Sequence, residues 1–354
     1  MLKQRFAGDV HRRGNTAISR DAEIRTFRAE VWSFWKKNGR HDLPWRKTKD
    51  PYKILVSEVM LQQTQVPRVI EKYKEFLHEF PTVQELAKAP LSRVLKIWSG
   101  LGYNRRGKYL RDAAIQIVKN HEGKIPPDAV SLQSLPGIGP YTASAVLIFA
   151  FNMPDTMIET NIRAAFIHHF FNSKVDIPKS PQGLTSVNKS PQGLTSVKKG
   201  DKCQGQTLGD SAESRRAMSF EARSIYRKAI VSVQRKVTDR DLLPFITAAA
   251  EGQDPRTWHW ALMDYGSHLK KLLENPSRLS AHHVKQSKFE GSLRQVRGAI
   301  LRALQSGEKT EQQLRLLACD QVSIKSDTEK YETALDGLEK DGMIIKWKGR
   351  WNIA

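Results

Sequence analysis

Four groups of side chains in this 354-residue chain have types and spacings that could do chemistry. Glu58 lies in the string Ser57-Glu58-Val59-Met60-Leu61-Gln62-Gln63-Thr64-Gln65. A helix starting near Asp50-Pro51 sets Ile54, Leu55, Leu61 and Gln62 on the face of Glu58. A carboxyl on an apolar face loses hydration, its pKa rises, and it can hold a proton near neutral pH as a general acid. A glutamate that merely caps or pairs at a helix junction fits the same position. Glu159 and Asn161 follow the breaker Pro154 and read as a helix start, where a carboxylate is favoured by the positive helix end. Capping alone accounts for them. A second carboxylate kept ionised near a protonated one would instead give the unlike pair that cleavage of a glycosidic bond uses.

The other two groups suit gripping rather than reacting. In Leu135-Pro136-Gly137-Ile138-Gly139-Pro140-Tyr141-Thr142-Ala143, a short helix over 128–134 is predicted to run into a Gly-x-Gly hairpin. A second helix starts with Pro140 in its first turn, where the missing N–H costs nothing. Two glycines let the backbone approach another molecule closely, and the outward N–H groups would make a phosphate site. A plain helix–helix connector is the bland reading. The segment Arg93 to Arg111 holds six basic residues and no acidic one, interleaved with Trp98, Tyr103 and Tyr109. Such a surface can hold phosphates and push a ring into a base stack, although a solvated helix face explains the charges equally well.

The elements that must position these groups are helical. Over 21–171 apolar residues recur at three- and four-residue spacing, with breaks at Pro44, Pro51, Pro81, Pro90, Gly100-Leu101-Gly102 and Pro126-Pro127. Residues 1–20, with five basic side chains and one acidic, read as a loose basic tail without a secretory h-region. Residues 173–236 read as a disordered insertion with one helix near 220–235, and contain a tandem decapeptide (KSPQGLTSVN, KSPQGLTSVK). Helical pattern resumes over 239–272, with Trp258 and Trp260 expected in the core, and a basic linker is expected over 273–291. Residues 292–354 read as a separate domain: helices near 293–304, 310–317 and 327–341, then a hairpin turning at Lys348-Gly349. Three helices and a two-stranded wing make a winged-helix-like plan.

Composition excludes several classes. Lys and Arg number 58 against 37 Asp and Glu, a formal charge of +21 that favours a polyanionic partner. Cys203 and Cys319 are the only cysteines, too few for a disulfide framework, a four-thiolate zinc site or a four-cysteine iron–sulfur cluster. The most apolar run, 143–151, is far short of the ~20 residues of a spanning helix. His168-His169 and His282-His283 have no companion ligands at metal spacing, and no metal site is expected.

Taken in order, the segments resemble the helix-hairpin-helix (HhH-GPD) DNA glycosylase superfamily and, within it, the adenine DNA glycosylases. Leu43-Pro44-Trp45-Arg46, the Ser57 string, Phe80-Pro81-Thr82, Trp98-Ser99-Gly100-Leu101-Gly102-Tyr103, the hairpin and Met263-Asp264 carry the likeness, over 26–171 and 239–272. The resemblance implies a mainly α, two-lobed glycosylase fold, with the winged-helix-like domain appended. It makes Glu58 the acid that protonates the departing adenine. Glu159 stands where the family has a sugar-stabilising aspartate, and Asn161 beside it. Tyr141 falls where bifunctional relatives carry a nucleophilic lysine, which implies base removal without efficient strand cleavage. Leu61, Gln63 and Tyr103 match residues that wedge into the duplex during base flipping. Thr64, Arg105, Arg106, Leu135, Gly137, Ile138, Gly139 and Thr142 are the remaining expected DNA contacts. Most of the family carries an iron–sulfur cluster after Met263-Asp264; with no cysteine in 266–271 that cofactor is expected absent. The usual domain that recognises 8-oxoguanine is not evident, the winged-helix-like tail standing in its place.

The resulting expectation is a monofunctional glycosylase acting as a cytoplasmic, nucleoid-associated monomer on double-stranded DNA with a mismatched or damaged base. Adenine opposite guanine or 8-oxoguanine is the expected target. A thymine- or uracil-mismatch glycosylase shares the same features, and a non-catalytic regulatory DNA-binding protein is the rival from another class.

Overall fold

The computed structural model describes residues 7–171, 236–284, 288–322 and 328–354. The expected insertion and its 220–235 helix therefore lie outside the described residues, Lys236 apart. Nine helices make up the first stretch: α1 (Ala7–Asn38), α2 (Pro51–Leu61), α3 (Val66–Glu79), α4 (Val83–Lys88), α5 (Leu91–Trp98), α6 (Arg105–Asn120), α7 (Ala129–Ser134), α8 (Pro140–Phe151) and α9 (Thr160–Phe170). Then come α10 (Asp239–Ala250) and α11 (Pro255–Leu272), where the 239–272 pattern breaks before Pro255. The helix α1 begins at Ala7 and so runs through most of the stretch expected as a loose tail. No proline interrupts 7–23, and propagation backward from the buried anchors Ile24 and Phe27 adds one hydrogen bond per residue.

Local chemistry sets the starts of the helices that matter. Asp50 caps α2 by accepting from the N–H of Tyr52 at 2.9 Å, with Pro51 as its first residue. Asp128 caps α7 by accepting from Ser131 at 2.8 Å, and Thr82 with Glu85 closes a capping box on α4. Every residue of α2 from Ile54 to Met60 is buried, because α3, α6 and α8 surround it. On the other side α9 lies along α11, with Phe27 of α1 over Phe166 at 4.8 Å and Trp258 fully enclosed. Gly266 of α11 permits that closeness: a Cβ there would stand 1.9 Å from the carbonyl oxygen of Asn161. The first half of the expected linker is packed, not free. Pro276 and Ser277 are buried, and Val237 bridges Ser280, pinning the chain where the insertion returns.

The C-terminal part has α12 (Leu293–Leu304), α13 (Glu311–Asp320) and α14 (Thr328–Lys340) with strands β1 (Lys309–Thr310), β2 (Ile344–Trp347) and β3 (Arg350–Ile353). The sheet is antiparallel in the order β1-β3-β2, so the expected wing gains a short third strand. Its core of Val296, Ile300, Leu314, Leu338, Met343 and Trp351 also takes in Leu91 and Leu95 from α5. The tail is therefore docked on the helical domain rather than merely tethered to it. The solvent face of α14 carries Glu329, Glu332, Asp336 and Glu339, which is the wrong sign for the DNA-reading helix of a winged helix.

Candidate active site and nucleic-acid interface

Glu58 is 4% exposed in the middle of α2, and the hydroxyl of Tyr141, one residue into α8, faces its carboxyl. Burial first, and the charge of Glu159 second, push the Glu58 pKa up to about 8; the cation of Arg46 only partly offsets this. Tyr141 is itself held un-ionised by burial between the two glutamates. Glu159 is half-buried at the start of α9 and does cap it: Oε1 accepts from the backbone N–H of Asn161 at 2.7 Å and of Ile162 at 2.9 Å. Oε2 accepts from the Asn161 side-chain amide at 3.1 Å. Burial raises its pKa too, but these three donors and the Lys270 ammonium pull toward the charged form. The proton of the pair therefore belongs on Glu58 and the charge on Glu159. The capping and the electrostatic reading of Glu159 hold together, since one oxygen satisfies the helix while the other faces Asn161.

Behind this pair stands a buried ion cluster that the sequence did not announce. Asp264 of α11 accepts from Arg46 at 2.8 and 2.9 Å, from the backbone N–H of Arg40 at 2.7 Å and from the Arg40 guanidinium at 2.6 Å. Burial alone would raise the Asp264 carboxyl, but these partners hold it below its ordinary range. Arg46 is thereby kept beside Glu58, with its guanidinium over Trp35 and Trp260.

The expected DNA contacts divide into two groups. Gln63 and Tyr103 sit at exposed or half-buried tips with φ of 55° and 48°, a left-handed conformation costly for residues other than glycine. Leu61 stays at the core end of α2. Thr64 and Arg106, expected as DNA contacts, have their side chains engaged within the protein. The Arg106 guanidinium is turned inward and donates to the carbonyls of Val59, Gln62, Leu101 and Gly102, at 2.6 to 3.3 Å, and to the Thr64 hydroxyl at 3.0 Å. Those carbonyls lie at the end of α2 and in the turn after α5, where Thr64 Oγ1 and Trp98 Nε1 also donate to some of them, so the cation ties both tips to one point. Arg105 is half-exposed but bound to Asp341 of the C-terminal part at 2.7 Å.

At the hairpin, Leu135, Ile138 and Thr142 are 3%, 5% and 2% exposed, and so anchor it rather than touch a ligand through their side chains. Thr142 accepts from the Gln62 amide at 3.1 Å. Gly137 and Gly139 are exposed for different reasons. Gly137 has φ of +75°, and a Cβ there would meet Tyr109 at 2.6 Å; Gly139 has ordinary φ and nothing within 4 Å. A glycine without internal need marks a place where something external comes close. Gly137→Ala should therefore destabilise the fold by about 1–2 kcal/mol or more. Gly139→Ala should leave the melting temperature unchanged and weaken duplex binding about tenfold, as one lost charge-assisted hydrogen bond requires. Equal melting losses for the two variants would contradict this assignment.

Among the described residues, no group of three or more His, Cys, Asp or Glu side chains could hold a metal, and no helix is long and apolar enough to cross a membrane. The stretch where relatives of the resembled family hold a cluster is the last part of α11, Gly266-Ser267-His268-Leu269-Lys270-Lys271. With Cys319 in α13 and Cys203 the only other thiol of the chain, the residues present do not fit a four-thiolate cluster. His169 donates to or accepts from the Tyr265 hydroxyl at 2.8 Å within the aromatic core, a packing role. Trp260 stacks on Phe149 at 5.8 Å.

A buried acid with a raised pKa, a capped carboxylate and an open-backboned hairpin together suit cleavage of a glycosidic bond in a molecule with a phosphate backbone. Residues 56–187 match the HhH-GPD superfamily of base excision DNA repair proteins. The curated relatives it resembles are adenine DNA glycosylases. That of Rattus norvegicus is 41% identical over 150 residues, 40% of this chain and 29% of its own length. That of Buchnera aphidicola is 38% identical over 144 residues, covering 41% of each chain. That of Mycolicibacterium smegmatis is 38% identical over 154 residues, 43% of this chain and 52% of its own. The alignments thus span about half or less of these relatives' lengths.

Proposed function

We propose that this chain is a monofunctional DNA glycosylase that removes adenine mispaired with guanine or 8-oxoguanine. The observation that carries the proposal is the buried Glu58, with its pKa pushed up to about 8 by burial and by the charge of Glu159. Likeness to adenine DNA glycosylases over the same segment supports the choice of base. In the proposed reaction the hairpin backbone holds a phosphate at Gly139, and Gln63 and Tyr103 enter the duplex as a purine swings out. Glu58 gives its proton to a ring nitrogen of that purine. The N-glycosidic bond then breaks with its electron pair going to the base, which leaves neutral. The Glu159 carboxylate faces the sugar cation so formed. Water adds to C1′, and the proton it sheds restores Glu58. Tyr141 cannot form a Schiff base with the abasic sugar, so the strand remains intact.

The test is a panel of duplexes carrying adenine, thymine, uracil or hypoxanthine opposite guanine or 8-oxoguanine. The expected result is release of adenine, with strand breakage only after alkali. Release of thymine but not adenine would overturn the substrate, and release of no base from any duplex would favour a binding protein. Duplex affinity should also fall steeply with salt, as displacement of counterions by Lys and Arg requires.

A further inference from the structure

The cleft of about 1200 Å³ that opens beside the active site is shared by the two parts of the chain. Gln63, Tyr103 and the hairpin residue Gly137 form one side; Phe289, Arg294 and Arg297 form the other. The C-terminal part is fixed there, not loosely apposed. Leu91 and Leu95 are 4% and 3% exposed in its core, the Gln305 amide donates to the Leu95 carbonyl, and Asp341 joins Arg105 to Arg297. In the first turn of α12, Arg294 lies with its guanidinium carbon 4.8 Å from the centroid of the Tyr103 ring and 5.3 Å from that of Phe289. It also donates to the Tyr103 hydroxyl oxygen. Arg106 lies over the same ring at 5.6 Å. Tyr103 thus meets one cation from each part of the chain.

We propose that Arg294 is a positioning residue for base extrusion: the C-terminal part holds the Tyr103 ring at the rim of the cleft, ready to enter the duplex. The proposal rests on the glycosylase reading only in taking Tyr103 as the wedge. The left-handed backbone of Tyr103 is a strained conformation that persists only where its surroundings fix it. A cation over the ring and a bond to its hydroxyl fix both the plane and the far end of the side chain. The ring remains half-buried at the cleft and is not sealed in the core, so the contact holds it in reach of a ligand. The acidic face of α14 agrees with this division of labour, in which the C-terminal part serves DNA through α12 and not through a reading helix.

The experiment uses the full chain, Arg294→Ala and Arg294→Lys, on a duplex with 2-aminopurine opposite guanine. Fluorescence reports unstacking of the base, a separate titration gives duplex affinity, and adenine release is followed on the matching adenine duplex. Both variants should lower the extrusion equilibrium about tenfold, because lysine keeps the charge but not the planar guanidinium that covers the ring while donating to its hydroxyl. Duplex affinity should change less than about threefold, since the hairpin contacts remain. Recovery of extrusion in Arg294→Lys would mean that Arg294 is a simple phosphate contact, and greater extrusion in Arg294→Ala would mean that it restrains the wedge; either overturns the proposal. So does a wild-type chain that binds without unstacking the base. Unstacking without adenine release would refute the substrate assignment alone, and leave the role of Arg294 to be read from its variants.

Discussion

Glu58→Gln is expected to lower single-turnover base release about a thousandfold while leaving duplex affinity unchanged. The amide keeps the shape and the contact with Tyr141 but has no proton to give a departing purine. Duplex affinity rests on the hairpin and basic surface, which the substitution does not touch. The same variant should be the more stable protein. The Glu58 pKa is raised on folding, from an ordinary value of 4.5 to about 8, so the folded state binds the proton more tightly than the unfolded state. Stability from this group is complete below about 4.5 and is lost as pH rises toward 8. The variant should melt above the wild type at pH 8, and the gap should close as pH falls toward 4.5. A site that needs an acid in an apolar place carries a stability penalty for it. Retained base release in the variant would falsify the role of Glu58.

Asp264→Ala should be the most damaging substitution away from the reacting groups, costing about 3–5 kcal/mol, or roughly 10 °C in melting temperature. Asp264 is 4% exposed and binds both Arg40 and Arg46, and the Arg46 side chain is itself 4% exposed. Its removal leaves a buried cation with no counterion. Because Arg46 neighbours Glu58, the damage should reach the active site, and the pH dependence of any residual activity should change. Thermal melts of the purified variant measure the first effect. A loss below about 1 kcal/mol, the range of an exposed pair, would contradict the picture of a buried cluster.

Helix boundaries were legible in the sequence wherever punctuation was local. Asp50-Pro51, Asp128, Gly139-Pro140 and Lys348-Gly349 each begin or end an element where expected. Glu58 and Glu159 were legible as types in an apolar helix and at a helix start, and their pairing followed from resemblance. Inward and outward were not legible. Arg106 looks like its neighbour Arg105 in a basic run, yet one is enclosed by carbonyls from two loops, a consequence of where those loops end in space. Leu135, Ile138 and Thr142 belong to the hairpin motif, but spacing does not say that their side chains are its anchors while its backbone faces out. The Asp264 cluster joins residues more than two hundred positions apart, and the docking of Leu95 into the C-terminal core is likewise long-range. Neither leaves a periodic trace. Gly266 shows as one glycine in a helix, and its reason is a backbone atom of another helix.

The most direct measurement is the pH dependence of single-turnover adenine release between pH 6 and pH 10, in the wild type and in Glu159→Gln. The wild-type rate should be level on the acid side and fall tenfold per pH unit above about 8, as Glu58 loses its proton. In Glu159→Gln one cause of the raised pKa is gone, so whatever rate remains should begin to fall at lower pH. A wild-type rate that stays constant or rises through pH 8 to 10 would contradict a neutral carboxylic acid as the proton donor.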